Sequence, residues 1–285
     1  MSGMRYARPE TLRDAVALLA EAPGRSAVLA GGTDLLVALR AGTRAPELVV
    51  DLKRIPEITA ISWSEAGDLV LGAAVTMRRI HEDRRIRETY PALAEGAEAV
   101  GSFQVRCRAT VGGNLANASP CMDTAPPLLL LEAGLRVLGP AGEREIPLDG
   151  FFLDVKKTVL APGEILVSVT VPAASRKLRS AFEKLKRVEG HDLALVNAAA
   201  VFDPEQGALR AAIGSCGVTP VLTAPVTGVD PARAAQAADR LADAALDVIR
   251  PIDDVRAGAE YRTDMTALLC RRLAARLLGR EGGTA

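Results

Sequence analysis

The chain has 285 residues, 49% of them apolar and 25% charged, and its 35 basic and 35 acidic side chains cancel to a formal charge of zero. That composition builds one large or two ordinary globular domains and excludes intrinsic disorder, while the charge balance argues against a nucleic-acid track or an anionic membrane surface. No run approaches the length of apolar chain that spans a bilayer, and the opening MSGMRYARPETLRD lacks the hydrophobic segment of a secretory signal, so a cytoplasmic location is expected.

Thr11 opens TLRD, a variant of the capping box, and the spacing of Leu12, Ala15, Val16, Leu18 and Leu19 predicts an amphipathic helix ended by a turn at Pro23 and Gly24. Residues 27–30 read as a buried strand, GGT as the loop after it, DLLVALRAG as a short helix closed by Gly42, and ELVVDL as the next strand. Beyond Pro56 the pattern predicts strands at 68–73, 136–138 and 165–171, helices near 76–83 and 92–100, and another starting at Asp123 or Thr124. TVGGNLANASP, from Thr110 to Pro120, reads as a second glycine loop behind a short apolar strand, with Arg106 and Arg108 on a half-exposed strand edge or against a partner. The charged stretch SRKLR marks a domain boundary, giving domains 1–175, with subdomains of 1–56 and 57–175, and 176–285. In the second domain FEKLKRV, LALVNAAAVF and ALRAAIGSCG read as a three-stranded antiparallel sheet, because EGHD and DPEQG are too short for helical crossovers. Helices follow at 231–249 and 254–278, so the fold class is α+β.

Little in the chain suggests a reaction on an organic substrate. Cys107, Cys121, Cys216 and Cys270 form no CxxC pair and read as reduced packing thiols, and His81 and His191 are too far apart in sequence to suggest a metal site or a triad. The two glycine pairs are more informative. A diphosphate is held by converging backbone N–H groups, and residues without a Cβ let the main chain approach closely; Thr33, Thr110, Asn114 and Ser119 add donors without bulk. Neither GxGxxG nor GxxxxGK[ST] is present, so a dinucleotide site of the Rossmann type and a P-loop both lack their fingerprint. The residues alone support a binder of a nucleotide-like anion, against the plainer reading of two tight turns.

AGGTDLL, QVRCRATVGGNLANASPCMD, GEILVSVTVP and FEKLKRVEGHDLALVNAAA, in this order, resemble the FAD-binding medium subunit of the molybdenum hydroxylases, the family of xanthine dehydrogenase and carbon monoxide dehydrogenase. The resemblance covers nearly the whole chain and implies a two-part FAD-binding domain of the p-cresol methylhydroxylase type, followed by a C-terminal domain with a three-stranded sheet and helices. It places Leu29, Ala30, Gly31, Gly32, Thr33, Asp34, Leu35 and Leu36 along the FAD pyrophosphate, with amides from Ala30 through Asp34 as donors. Thr110, Val111, Gly112, Gly113 and Asn114 form the second jaw, completed by Ser119 and by Asp123, which accepts from a flavin-side hydroxyl or from its own loop. Leu166 packs on the isoalloxazine, Lys184 sits near its pyrimidine edge, and Val100 occupies a position often aromatic in relatives. Plainer readings stand beside these: Leu166 as core, Lys184 as a solvated strand residue, Asp123 as a helix cap.

The implied role is electron transfer. FAD on this chain collects electrons from [2Fe-2S] clusters of a small iron–sulfur subunit, fed by a large molybdopterin subunit, in a dimer of heterotrimers, and hands them to an external acceptor. Two alternatives stand beside this role: an autonomous FAD-dependent oxidase or dehydrogenase of the wider superfamily, and a cofactor-free assembly module.

Overall fold

The computed structural model describes residues 3–279. Its first sheet is parallel: β1 (Arg5–Ala7), β2 (Ser26–Leu29) and β3 (Leu48–Asp51) lie in the order β1-β3-β2. All four residues of β3 are buried, as a central parallel strand requires. The expected cap before helix Leu12–Glu21 is present, since Thr11 Oγ1 accepts from the Asp14 N–H at 3.1 Å and donates to the Asp14 carboxylate at 2.7 Å.

The second sheet is antiparallel. It comprises β4 (Ile61–Trp63), β5 (Leu69–Gly72), β6 (Gly134–Gly139) and β7 (Gly142–Pro147) and, beyond the ribbon of β8 (Phe152–Asp154) and β9 (Lys157–Thr158), β10 (Ile165–Val171). The order is β4-β5-β10-β6-β7, so the last strand in sequence becomes the middle one and is buried along nearly all its length. Strands β5, β6 and β10 match the sequence reading. The edge strand β7, GEREIP, is exposed at five of six positions and carries no alternation to reveal it.

Between β5 and β6 run six short helices, and here the structure corrects two expectations. The segment before the second glycine pair is helix Phe103–Arg106, capped by Ser102 Oγ on the Val105 N–H at 3.3 Å, so Arg106 and Arg108 do not lie on a strand edge. The glycine pair itself lies in the first turn of helix Val111–Asn117, not in a loop. Thr110 is its N-cap, accepting from the Gly113 N–H at 3.2 Å. Two adjacent glycines weigh against helix, but a threonine cap and the close fit of Gly112 on β5's continuation at Ala73 outweigh that preference.

The third sheet, β11 (Arg179–Leu185), β12 (Val196–Asp203), β13 (Ala208–Gly214) and β14 (Val221–Leu222), is antiparallel in sequence order. It holds the three expected strands and a fourth of two residues. Helices Ala234–Val248 and Ala259–Leu278 cover one face and share its core with Leu241, Leu269, Leu273 and Leu277. The other face sets Phe182, Ala199, Val201 and Ala212 against Ala92 and Leu130 of the preceding part. One large core thus spans Ala15 to Val171 and a second spans Ala181 to Leu278. We propose the domain boundary at residue 175, in the turn Ala173–Lys177 between those cores; the extreme ends of the two domains, residues 1–2 and 280–285, lie outside the described residues.

Candidate functional site

Parallel sheets offer their ligand sites at the carboxyl ends of the strands. Strand β2 ends at Leu29, and its continuation through Ala30 to Asp34 turns into helix Leu35–Arg40. Gly32 has φ +78°, a conformation a side chain would strain, and a Cβ on Gly31 would collide with the carbonyl oxygen of Arg108. The N–H groups of Gly31, Gly32, Thr33 and Asp34 meet no acceptor among the described residues. Consecutive unspent N–H groups at such a bend form a concavity suited to an anion.

The second motif comes to meet the first. Asn117 Nδ2 donates to Asp34 Oδ1 at 2.9 Å across 83 positions of sequence, and the Gly31–Arg108 packing adds a second contact between the segments. The two glycine segments thus lie against each other. The supply of donors is another matter. Val111 N–H donates to the Val75 carbonyl, Gly112 to Ala73, Gly113 to Thr110 Oγ1 and Asn114 to the Thr110 carbonyl, at 3.0, 2.8, 3.2 and 2.9 Å. These amides are spent on the fold, so they do not converge on a phosphate as a glycine loop would. What the segment presents instead is a bare surface at Gly113, where a Cβ would meet only Thr110 Oγ1 and otherwise open space. Thr110 and Val111 are buried, and Asn114 Oδ1 accepts from Thr124 Oγ1 at 2.7 Å.

A third group lies beside this helix. Lys184 Nζ, on β11, is 2.7 Å from Asp123 Oδ2 and 2.9 Å from the Ala99 carbonyl, and the two side chains are 7% and 5% exposed. The reading of Lys184 as a solvated residue is therefore overturned. Asn197 Nδ2 donates to Asp123 Oδ1 at 2.7 Å and to the Met122 carbonyl at 3.1 Å, so both carboxylate oxygens already have partners inside the protein. Asp123 is no helix cap either, since the cap position of helix Ala125–Leu130 is Thr124, which makes no side-chain capping bond. Burial pushes the Asp123 carboxyl above its ordinary range, opposed by Lys184 and then Asn197. Sequence reasoning missed Asn197; its signal was one amide in the otherwise apolar LALVNAAAVF.

The remaining candidates are more dispersed in role. Ser119 Oγ accepts from the Cys121 N–H at 3.4 Å. Leu166 is buried opposite Val137 at an irregularity in the pairing of β10 with β6, within the larger core. Val100 is half-buried, next to the Ala99 carbonyl that Lys184 holds. All four cysteines are unpaired; Cys270 is buried, which pushes its thiol up to about 12.

The family model described as the FAD binding domain in molybdopterin dehydrogenase matches residues 2–174, and that of the CO dehydrogenase flavoprotein C-terminal domain matches residues 180–277. The chain is 32% identical over 272 residues to the carbon monoxide dehydrogenase medium chain of Hydrogenophaga pseudoflava, covering 94% of each. It is 30% identical over 284 residues to the xanthine dehydrogenase FAD-binding subunit of Escherichia coli O157:H7, covering 98% of this chain and 97% of that one. Among solved structures, carbon monoxide dehydrogenase from Hydrogenophaga pseudoflava, in a form lacking the Mo-pyranopterin moiety, matches with a TM-score of 0.87 at 31% identity over 98% of both chains. Quinoline 2-oxidoreductase from Pseudomonas putida 86 matches with the same TM-score at 28% identity over 97% of both.

Proposed function

Because the chain belongs to the family of FAD-binding subunits of molybdopterin dehydrogenases, we propose that it receives electrons from the iron–sulfur clusters of a partner subunit and passes them to an external acceptor. The observation that carries this reading is the row of four unspent N–H groups from Gly31 to Asp34, tied by Asn117 to the open face at Gly113. A cofactor with a diphosphate fits there, since the donors are preorganised and no side chain fills the approach. Leu29 through Leu36 would hold the diphosphate, with Gly113, Asn114 and Ser119 on the opposite wall; Thr110, Val111 and Gly112 would act by shaping that wall. The family resemblance would set the buried Lys184–Asp123 pair, Leu166 and Val100 beside the redox group. FAD, when bound, supplies a carrier that exchanges electrons singly or in pairs, and the protein contributes position and electrostatics.

The partners proposed are a small [2Fe-2S] subunit and a large molybdopterin subunit, assembled as a dimer of heterotrimers in the cytoplasm, where free thiols stay reduced. Among the described residues no helix is long and apolar enough to cross a membrane. The test uses the purified full chain titrated with FAD and examined by visible spectroscopy. A yellow, stoichiometric flavoprotein that dithionite bleaches, and that xanthine and quinoline leave oxidised, is the expected result. A chain that refuses FAD would establish an assembly module instead, and bleaching by either heterocycle without partners would establish an autonomous dehydrogenase.

A further inference from the structure

Beside the bend at Gly31 lies a polar group that the cofactor assignment leaves unused. Lys53 Nζ donates to Asp51 Oδ1 at 2.7 Å and to the carbonyl oxygen of Ala30 at 3.1 Å. Asp51 Oδ1 also accepts from the Lys53 N–H at 3.0 Å, and Asp51 Oδ2 accepts from the Tyr6 hydroxyl at 2.6 Å. The register explains the meeting: Leu29 pairs with Asp51 across β2 and β3, and Tyr6 lies on β1 at the other side of β3. The three parallel strands end close together, and Lys53, two residues past the end of β3, grips the Ala30 carbonyl while Tyr6 and Asp51 hold the lysine from behind. The Asp51 side chain is 5% exposed and that of Lys53 is 31% exposed, so the carboxylate is enclosed while the ammonium reaches toward the loop.

A peptide group is planar and trans, so its carbonyl and its N–H point in opposite directions. Holding the Ala30 oxygen therefore aims the Gly31 N–H, the first of the four unspent donors. The charge of Lys53 is matched by Asp51, so its effect on an anion is chiefly one of orientation. With the amine removed, the Ala30–Gly31 peptide is free to rotate, and a carbonyl oxygen facing a diphosphate repels it.

We propose that Lys53, fixed by Asp51 and Tyr6, is a positioning residue that orients the Ala30–Gly31 peptide for binding the diphosphate of FAD. This rests on the reading that the diphosphate lies on the Gly31–Asp34 bend. The test compares FAD affinity, by flavin fluorescence titration of the full chain, with the thermal unfolding midpoint of the FAD-free protein, for wild type, Lys53→Met, Lys53→Arg and Tyr6→Phe. Lys53→Met lowers the FAD-free midpoint, because the enclosed Asp51 loses its counter-charge, yet at a temperature where it is fully folded it still binds FAD about tenfold more weakly, as expected for one misaimed charge-assisted donor; Lys53→Arg, which keeps a donor, recovers most of the affinity. Tyr6→Phe, which removes one hydroxyl from a residue 54% exposed, produces a smaller loss in the same direction. The proposal is overturned if Lys53→Met binds FAD like wild type, if Arg is no better than Met, if affinity falls only at temperatures where the FAD-free protein is partly unfolded, or if Lys53→Met does not fold and Tyr6→Phe shows no loss. Failure of wild type itself to bind FAD would instead overturn the flavin assignment.

Discussion

At Gly112 an added methyl group would collide with the side chain of Ala73, whereas at Gly113 it would meet the Thr110 hydroxyl at 2.8 Å and otherwise open space. Neighbouring glycines are thus kept for different reasons, one for packing and one for the proposed ligand. Gly112→Ala is expected to destabilise the chain by about 1–3 kcal/mol through overpacking, measured by urea unfolding. Gly113→Val is expected to cost no more than about 0.5–2 kcal/mol, by crowding the Thr110 cap, and to lower the flavin content of the folded protein, because its side chain points into the proposed site. Retention of stoichiometric flavin would remove Gly113 from that wall. The Lys184–Asp123 pair makes a third case. Lys184→Met strands a buried carboxylate and should cost about 3–5 kcal/mol, and adding Asp123→Asn should restore part of the loss, since a neutral amide needs no counter-charge. A double variant no more stable than the single one would show that Asp123 is not the group being penalised. None of this pairing is apparent in the sequence, where the two residues are 61 positions apart.

On the scale of elements, the connection into the last helix is organised around Asp254. Arg262, 1% exposed, donates to Asp254 at 2.8 Å and to the carbonyls of Leu195 and Ser215, while Arg256 bonds the other carboxylate oxygen at 2.6 Å. The bonds from Arg256 hold the Asp254 carboxyl far below its ordinary value of 3.8. A depressed carboxylate stabilises the fold above its unfolded value, and that contribution is lost as pH falls through the folded value. Acid unfolding monitored by circular dichroism should therefore steepen below pH 3.8 in the wild type. Asp254→Asn, which no longer titrates, should be less stable at neutral pH and lose less on acidification; a variant with the wild-type acid profile would exclude this residue. Elements also mark where local reading succeeds. Thr11 and its helix, and β10, were legible because a cap or a buried run encodes them locally. The helix over Val111–Asn117 was not, because its glycines weigh against it and Ala73 and Val75, distant in sequence, accept its N–H groups.

Across the whole molecule, the two large cores meet through Ala92, Leu130, Phe182, Ala199, Val201 and Ala212, and through Glu95. Glu95 accepts from the Phe182 N–H at 2.8 Å and pairs with Arg276 on the last helix. Trp63, the chain's single tryptophan, packs against the larger core, so its fluorescence reports on that core alone. Urea transitions followed by Trp63 fluorescence and by circular dichroism should coincide in the wild type and separate in Glu95→Ala, as coupling between the cores weakens. Coincident curves in the variant would mean that the apolar contacts suffice. Four ordered motifs carried the resemblance to the family, and composition, alternation and caps outlined most of the fold, because each is written in neighbouring residues. Which amides stay unspent, which glycine faces open space, and that Asn197 and Lys184 enclose Asp123, depend on groups brought together from distant parts of the chain. A hydrogen-bond partner supplied by another element leaves no mark in the local pattern, so those features emerged only when the strands and helices were packed.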